Sequence, residues 1–165
     1  MNEMVVVLPC LCNWLWNAKL ATIRTKGRIT MIKAEHECEL MVRLKDGEEL
    51  ISSFKELSLD SGVLLNGVGM LRDLELGYWN GSSYEVKRIT EPVELLSLQG
   101  NFARKDEERI VHCHAAVAQH GGATLGGHVI KATVHNTAEI FIYKLAGITL
   151  ERKMEETGLA GLYPR

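Results

Sequence analysis

Apolar and polar positions alternate over short runs through most of the chain beyond residue 35, a pattern that predicts strands. Glu37 to Leu44 would place Cys38, Leu40, Val42 and Leu44 on one strand face. Lys45 to Glu49 then opens a helix. Asp46 stands as the N-cap with Glu49 three residues on, a capping-box spacing, and Leu50, Phe54 and Leu57 recur at helical period. Asp60-Ser61-Gly62 ends it. Strand-like runs follow at Gly62–Met70, Leu71–Trp79, Tyr84–Ile89, Val93–Gly100, Arg109–Ala118, His128–His135 and Ala138–Leu145, with a short one at Ile148–Lys153. Asn80-Gly81 predicts a hairpin turn. Asn101–Glu108 predicts a charged loop, Gly121–Gly127 a glycine-rich loop, and Glu155–Arg165 is weakly patterned.

One main helix and about seven strands predict an α+β fold around a largely antiparallel twisted sheet. A single helix covers little of such a sheet. The rest of its apolar face is expected to pack on partner subunits in a symmetric oligomer.

Composition narrows this only a little. At 165 residues the chain suits one domain, and its 46% hydrophobic share excludes wholesale disorder. The formal charge of −2 hides an asymmetry. Residues 1–30 carry Lys19, Arg24, Lys26 and Arg28 against Glu3, whereas residues 31–165 hold 15 basic and 20 acidic side chains, a net of −5. An acidic body is a poor phosphate binder, because nucleic-acid affinity comes largely from Lys and Arg on phosphates.

The first thirty residues differ in pattern. Met4 to Cys12 is apolar but interrupted by Pro9, with Trp14 and Trp16 following. The run is short of the roughly 20 residues of a membrane span, and the basic residues follow it, unlike a secretory signal. The stretch is either an N-terminal extension or an over-long start, with translation beginning at Met31. The second is favoured because orderly patterning begins there, and mass spectrometry of the native N-terminus decides it. Cys10, Cys12, Cys38 and Cys113 form no C-x-x-C pair, so they are expected as reduced thiols in a cytoplasmic protein, Cys113 as a small buried hydrophobe.

Five of the six histidines fall between residues 112 and 135. His112 and His114 are two apart within a strand, so both imidazoles leave the same face. His128 follows Gly126-Gly127 and reaches that face if 109–118 and 128–135 pair as antiparallel neighbours. Three neutral imidazoles suit zinc, or another divalent transition metal, with a fourth position open. His120 lies in the adjoining loop and can approach. His135 has the wrong parity relative to His128. Glu139 is a candidate fourth ligand or base, and otherwise a surface carboxylate. Two other readings stay open: polar histidines on a solvated sheet face, and a general acid/base histidine without metal. Gly121–Gly127 lacks the G-K-[ST] ending of a phosphate loop and is expected to be a turn. Ser52-Ser53 has no adjacent base, and Lys87-Arg88 and Arg104-Lys105 are solvated spots.

Gln99-Gly100-Asn101-Phe102, Val111-His112-Cys113-His114-Ala115, Leu125-Gly126-Gly127-His128-Val129 and Thr137-Ala138-Glu139-Ile140 together resemble the Plants and Prokaryotes Conserved (PPC) domain family. Arg43 to Leu50 fits that family's strand-to-helix start. The resemblance spans roughly residues 35–150. It implies a compact α+β domain assembled as a homotrimer, and metal, zinc foremost, at His112, His114 and His128. It also implies a DNA-associated, transcription-linked regulatory role of the prokaryotic kind. The plant members' AT-hook has no counterpart: there is no Arg-Gly-Arg-Pro, and Lys26-Gly27-Arg28-Ile29 only echoes it. DNA therefore enters as a partner by resemblance alone. The alternatives are a metal-dependent enzyme or small-molecule-binding trimer using the same three histidines, and a metal that serves structure only. No residue is assigned a catalytic role, and no membrane partner is expected.

Overall fold

The computed structural model describes residues 19–25 and 28–165, with side chains from Met31 onward. The apolar run at Met4 to Cys12, with Trp14 and Trp16, lies outside the described residues. The strands are β1 (Lys19–Thr25), β2 (Arg28–His36), β3 (Glu39–Lys45), β4 (Gly62–Trp79), β5 (Tyr84–Ile89), β6 (Val93–Lys105), β7 (Glu108–Ala118), β8 (Thr124–Lys144), β9 (Leu150–Met154) and β10 (Ala160–Pro164); α1 spans Leu50–Glu56.

All ten strands join one sheet ordered β1-β2-β3-β8-β4-β6-β9-β10, with β5 on β4 and β7 bridging β6 and β8. The pairs are antiparallel except the parallel bridge of β6 to β9 at Arg104 and Glu151. The largely antiparallel sheet with one short helix is as expected, but its strands exceed seven. The runs read as separate at Met70/Leu71 are one 18-residue strand, β4, whose register shifts between Gly69 and Leu71. The runs at His128–His135 and Ala138–Leu145 are likewise parts of the 21-residue β8, which bends where Asn136 takes φ 65°. Each irregularity breaks the alternation and so imitates a strand end. Asn101–Glu108 is not a loop. β6 and β7 run through it to a tight turn at Asp106 (φ 53°), where Arg104 and Arg109 share the carboxylate of Asp60. The β1–β2 hairpin begins before Met31, and the tail forms β10 against β9.

The core lies on one face of β3, where Leu40, Val42 and Leu44 are buried and alternate with exposed positions. Ile140 and Ile142 of β8 and Leu98 and Phe102 of β6 extend it. Helix α1 closes over these residues with Leu50 and Phe54, and the Phe54 ring meets Phe102 edge-on at 5.9 Å.

Asp46 does not cap the helix. Gly47 turns the chain at φ 84°, and the backbones of Gly47 and Glu48 then bond to Val134 of β8, which holds this stretch extended. The N-cap is Glu49, whose carboxylate accepts from the backbone N–H groups of Ile51 and Ser52 and from the Ser52 hydroxyl. Asp46 instead accepts from the Asn136 N–H at 2.9 Å, pinning the bend in β8. Glu49→Ala is expected to cost about 1 kcal/mol and lower Tm by about 2–4 °C in a thermal melt.

Candidate metal centre and the adjoining cleft

Strand alternation in β7 turns Cys113 into the core, 1% exposed, and sends His112 and His114 to the other face. β7 pairs with the start of β8, where His114 stands directly opposite His128. The pairing runs from Thr124 to His128, so Gly126 and Gly127 are strand residues opposite Ala116 and Ala115, not part of a loop. His128 also pairs with Gly77 of β4, which puts it at the seam where β8 passes from one neighbour to the other. Glycine permits that seam: a side chain on Gly127 would stand 3.0 Å from the Gly77 carbonyl oxygen. The turn residues Gly121 and Gly122 take φ 94° and 87°, the left-handed conformation that favours glycine.

The three imidazoles converge. Ring centroids are 5.1 Å apart for His112–His114, 4.9 Å for His112–His128 and 5.4 Å for His114–His128. One nitrogen from each lies within 4.8 Å of the others. His112 and His128 are half-buried and His114 is exposed. The Nδ1 of His128 is buried without a hydrogen-bond partner. An imidazole trio with an orphaned nitrogen is a donor set suited to zinc, which takes His nitrogen at about 2.0–2.1 Å.

Electrostatics favour the neutral form of His112 and His128. Burial, then the charge of Arg152 and the neighbouring histidines, lowers the His112 pKa to about 4. Burial, His114 and Arg152 lower that of His128. Cys113 between the two β7 histidines is pushed up to about 12, by burial and then by Glu49, and stays an inert thiol. The sign for stability follows. Between pH 6.5 and 4 the unfolded chain takes up a proton at His112 that the folded metal-free protein refuses. That contribution is complete above pH 6.5 and is lost as pH falls towards 4. Melts of the chelator-treated protein are expected to show Tm falling through that window, with a shallower fall in His112→Gln.

Beside the trio lies a cleft of about 610 Å³. His112 and His128 form part of its wall, with Trp79, Tyr84, Ile110 and Val111 from the sheet. Tyr84 stacks on His128 at 5.0 Å and 21°. The remaining wall comes from β9, β10 and their connection, including Arg152, Glu155 and Leu159. Arg152 Nη2 donates to Asn101 Oδ1 at 2.9 Å, and Asn101 sits opposite His112 across β6 and β7.

Known proteins resemble this chain in sequence and in fold. The family model of the Plants and Prokaryotes Conserved (PCC) domain, also abbreviated PPC, matches residues 31–146. The chain belongs to this family. No curated protein sequence matches the chain. Among solved structures, a plant- and prokaryote-conserved protein of Pyrococcus horikoshii is 31% identical, with a TM-score of 0.70 over 83% of this chain and 95% of that one. A protein of Archaeoglobus fulgidus described as metal-containing is 30% identical, with a TM-score of 0.69 over 78% and 96%. A Bacteroides thetaiotaomicron structure named as a "putative dna binding protein" is 23% identical, with a TM-score of 0.74 over 81% and 97%, and is a likeness of fold.

In this PPC domain the other sequence candidates lie away from the trio. His120 is exposed in the β7–β8 turn. His135 approaches Asp46 at 3.8 Å, at the far bend of β8. Glu139 is exposed further along β8, opposite Arg43 and Val68, and lies outside the cluster of three histidines. Ser52 bonds to Glu49 and caps α1. Sequence reasoning missed Arg152, Tyr84 and Trp79. Asn101 fell inside a quoted motif without a role. The available signal was Thr157-Gly158, a turn between the apolar starts at Leu150 and Ala160. The hairpin it joins lies beyond the family-matched span.

Proposed function

We propose that this PPC-domain protein holds a divalent transition metal, zinc by its donor set, at His112, His114 and His128, and uses the centre to bind a small molecule. The observation that carries this reading is the convergence of three imidazoles beside a cleft large enough for a small molecule. When bound, zinc supplies a Lewis-acidic position not filled by protein. Burial holds His112 and His128 unprotonated at neutral pH, and Tyr84 fixes the His128 ring by stacking on it. The metal-containing relative from Archaeoglobus fulgidus supports the assignment. The test is elemental analysis after dialysis against zinc and then buffer. About one zinc per chain is expected, and none in His112→Ala/His114→Ala. Equal zinc in both proteins overturns the reading.

A homotrimer is the assembly we propose. Met41, Leu65, Val68, Leu96, Phe141 and Tyr143 are exposed apolar side chains on β3, β4, β6 and β8, with Met41 paired to Phe141. Light scattering is expected to give three times the chain mass; a monomer overturns it. Loss of the trimer on chelation, without ligand binding, would instead mark a metal serving structure only. The free thiols Cys38 and Cys113 fit a reducing, cytoplasmic setting. Among the described residues no helix is long and apolar enough to cross a membrane.

A DNA-associated regulatory role is the second reading, favoured by the names of structural neighbours from Bacteroides thetaiotaomicron and Ralstonia eutropha. The body's net charge of −5 per chain opposes it. Three-fold symmetry also mismatches palindromic half-sites, whose symmetry is two-fold. Saturable binding to an AT-rich duplex at low salt, read by fluorescence anisotropy, would restore it.

A further inference from the structure

We propose that the cleft beside His112 and His128 binds a small monocarboxylate with an apolar body, anchored by the guanidinium of Arg152. The inference deepens the small-molecule reading above and rests on it.

Arg152 is positioned but not neutralised. Its Nη1 donates to the Ala160 carbonyl at 2.7 Å and its Nη2 to Asn101 Oδ1 at 2.9 Å. Its Nε is buried without a partner. Burial lowers its pKa, and no carboxylate stands among the groups acting on it. A half-buried cation that bonds to no carboxylate is costly, and the planar guanidinium fork matches one. Each Nη keeps a second proton for a ligand. A metal at the neighbouring trio would add positive potential from the same side and strengthen the call for an anion.

The other lining residues narrow the ligand. Trp79, Ile110, Val111 and Leu159 offer apolar and aromatic surface for a hydrocarbon or ring. Glu155 also lines the cleft, with its Oε1 accepting from the Tyr163 hydroxyl. The negative charge of Glu155 on the same wall repels a doubly charged phosphate more than a singly charged carboxylate. Thr157, exposed between β9 and β10, completes the rim.

Calorimetric titration of the full chain, zinc-loaded and zinc-free, with benzoate, phenyl phosphate and benzyl alcohol tests this. Benzoate is expected to saturate, with phenyl phosphate and benzyl alcohol each at least tenfold weaker. Arg152→Gln should weaken benzoate at least tenfold while retaining zinc as tightly as the parent or more so, because a neighbouring positive charge is gone. A merely structural Arg152 would not move the two affinities in opposite directions. Should Arg152→Gln loosen the hairpin, Thr157→Glu places a repelling charge at an exposed rim position and should weaken benzoate without changing the melt. Zinc retained with no benzoate saturation up to about 10 mM, a range that includes weak millimolar binding, overturns the inference and leaves the metal reading standing. Benzoate binding unaffected by both substitutions overturns it too. Arg152-dependent benzoate binding without zinc retention upholds the cleft and removes the metal reading.

Discussion

Replacing His128 with alanine is expected to lower zinc affinity more than 100-fold. Losing a group that merely orients a metal ligand costs about 10–100-fold, and losing the ligand itself costs more. The effect should be large at this position because His128 is the β8 contribution to the trio, opposite His114 and 4.9 Å from the His112 ring. The remaining pair on β7 can chelate only weakly. Competition against a chromophoric chelator at pH 7.5 measures it. His120→Ala and His135→Ala should match the parent, since neither residue belongs to the cluster. A His128→Ala protein with parental affinity, or a His135→Ala protein that loses zinc, would overturn the assignment.

Gly100→Ala is expected to destabilise the fold by about 3 kcal/mol, lowering Tm by about 6–12 °C. Gly100 faces Cys113 where β6 and β7 pair. A side-chain carbon there would overlap the His112 carbonyl oxygen and stand 2.7 Å from the Cys113 Cα. The obstruction is backbone, so it is relieved only by moving β7. The same displacement shifts both β7 histidines, and zinc affinity should fall with Tm. Gly147→Ala, with open space around the position, is the control expected to change neither. A Gly100→Ala protein with parental melt and zinc affinity would show that β6 and β7 part without disturbing the centre.

The trio was legible because it depends on simple periodicities. A two-residue step within β7 fixes a shared face whatever the rest of the chain does, and a glycine pair allowed the return of His128 beside it. The pairing itself was only partly foreseen. β7 takes Thr124–His128 as its partner, and most of the expected 128–135 segment lies against β4 instead. Strand lengths were less legible, because the shift at Gly69/Leu71 and the positive φ at Asn136 interrupt alternation without ending a strand. The cap was displaced from Asp46 to Glu49 by a pairing partner, Val134, far off in sequence. Arg152 was hidden most deeply. Its role depends on Asn101 and Ala160, one distant in the chain and the other across a turn, and no local pattern announces either contact.

The β9–β10 hairpin pairs with the main sheet at one parallel bridge, Arg104 to Glu151, and lies past the family-matched span, whereas the imidazoles sit on strands braced from both sides. The proposed grip and the proposed selectivity are thus housed in separable pieces of chain. On the proposed reading, the outer piece, and with it the guest admitted, can be exchanged in evolution while the inner piece retains the donor set for the ion.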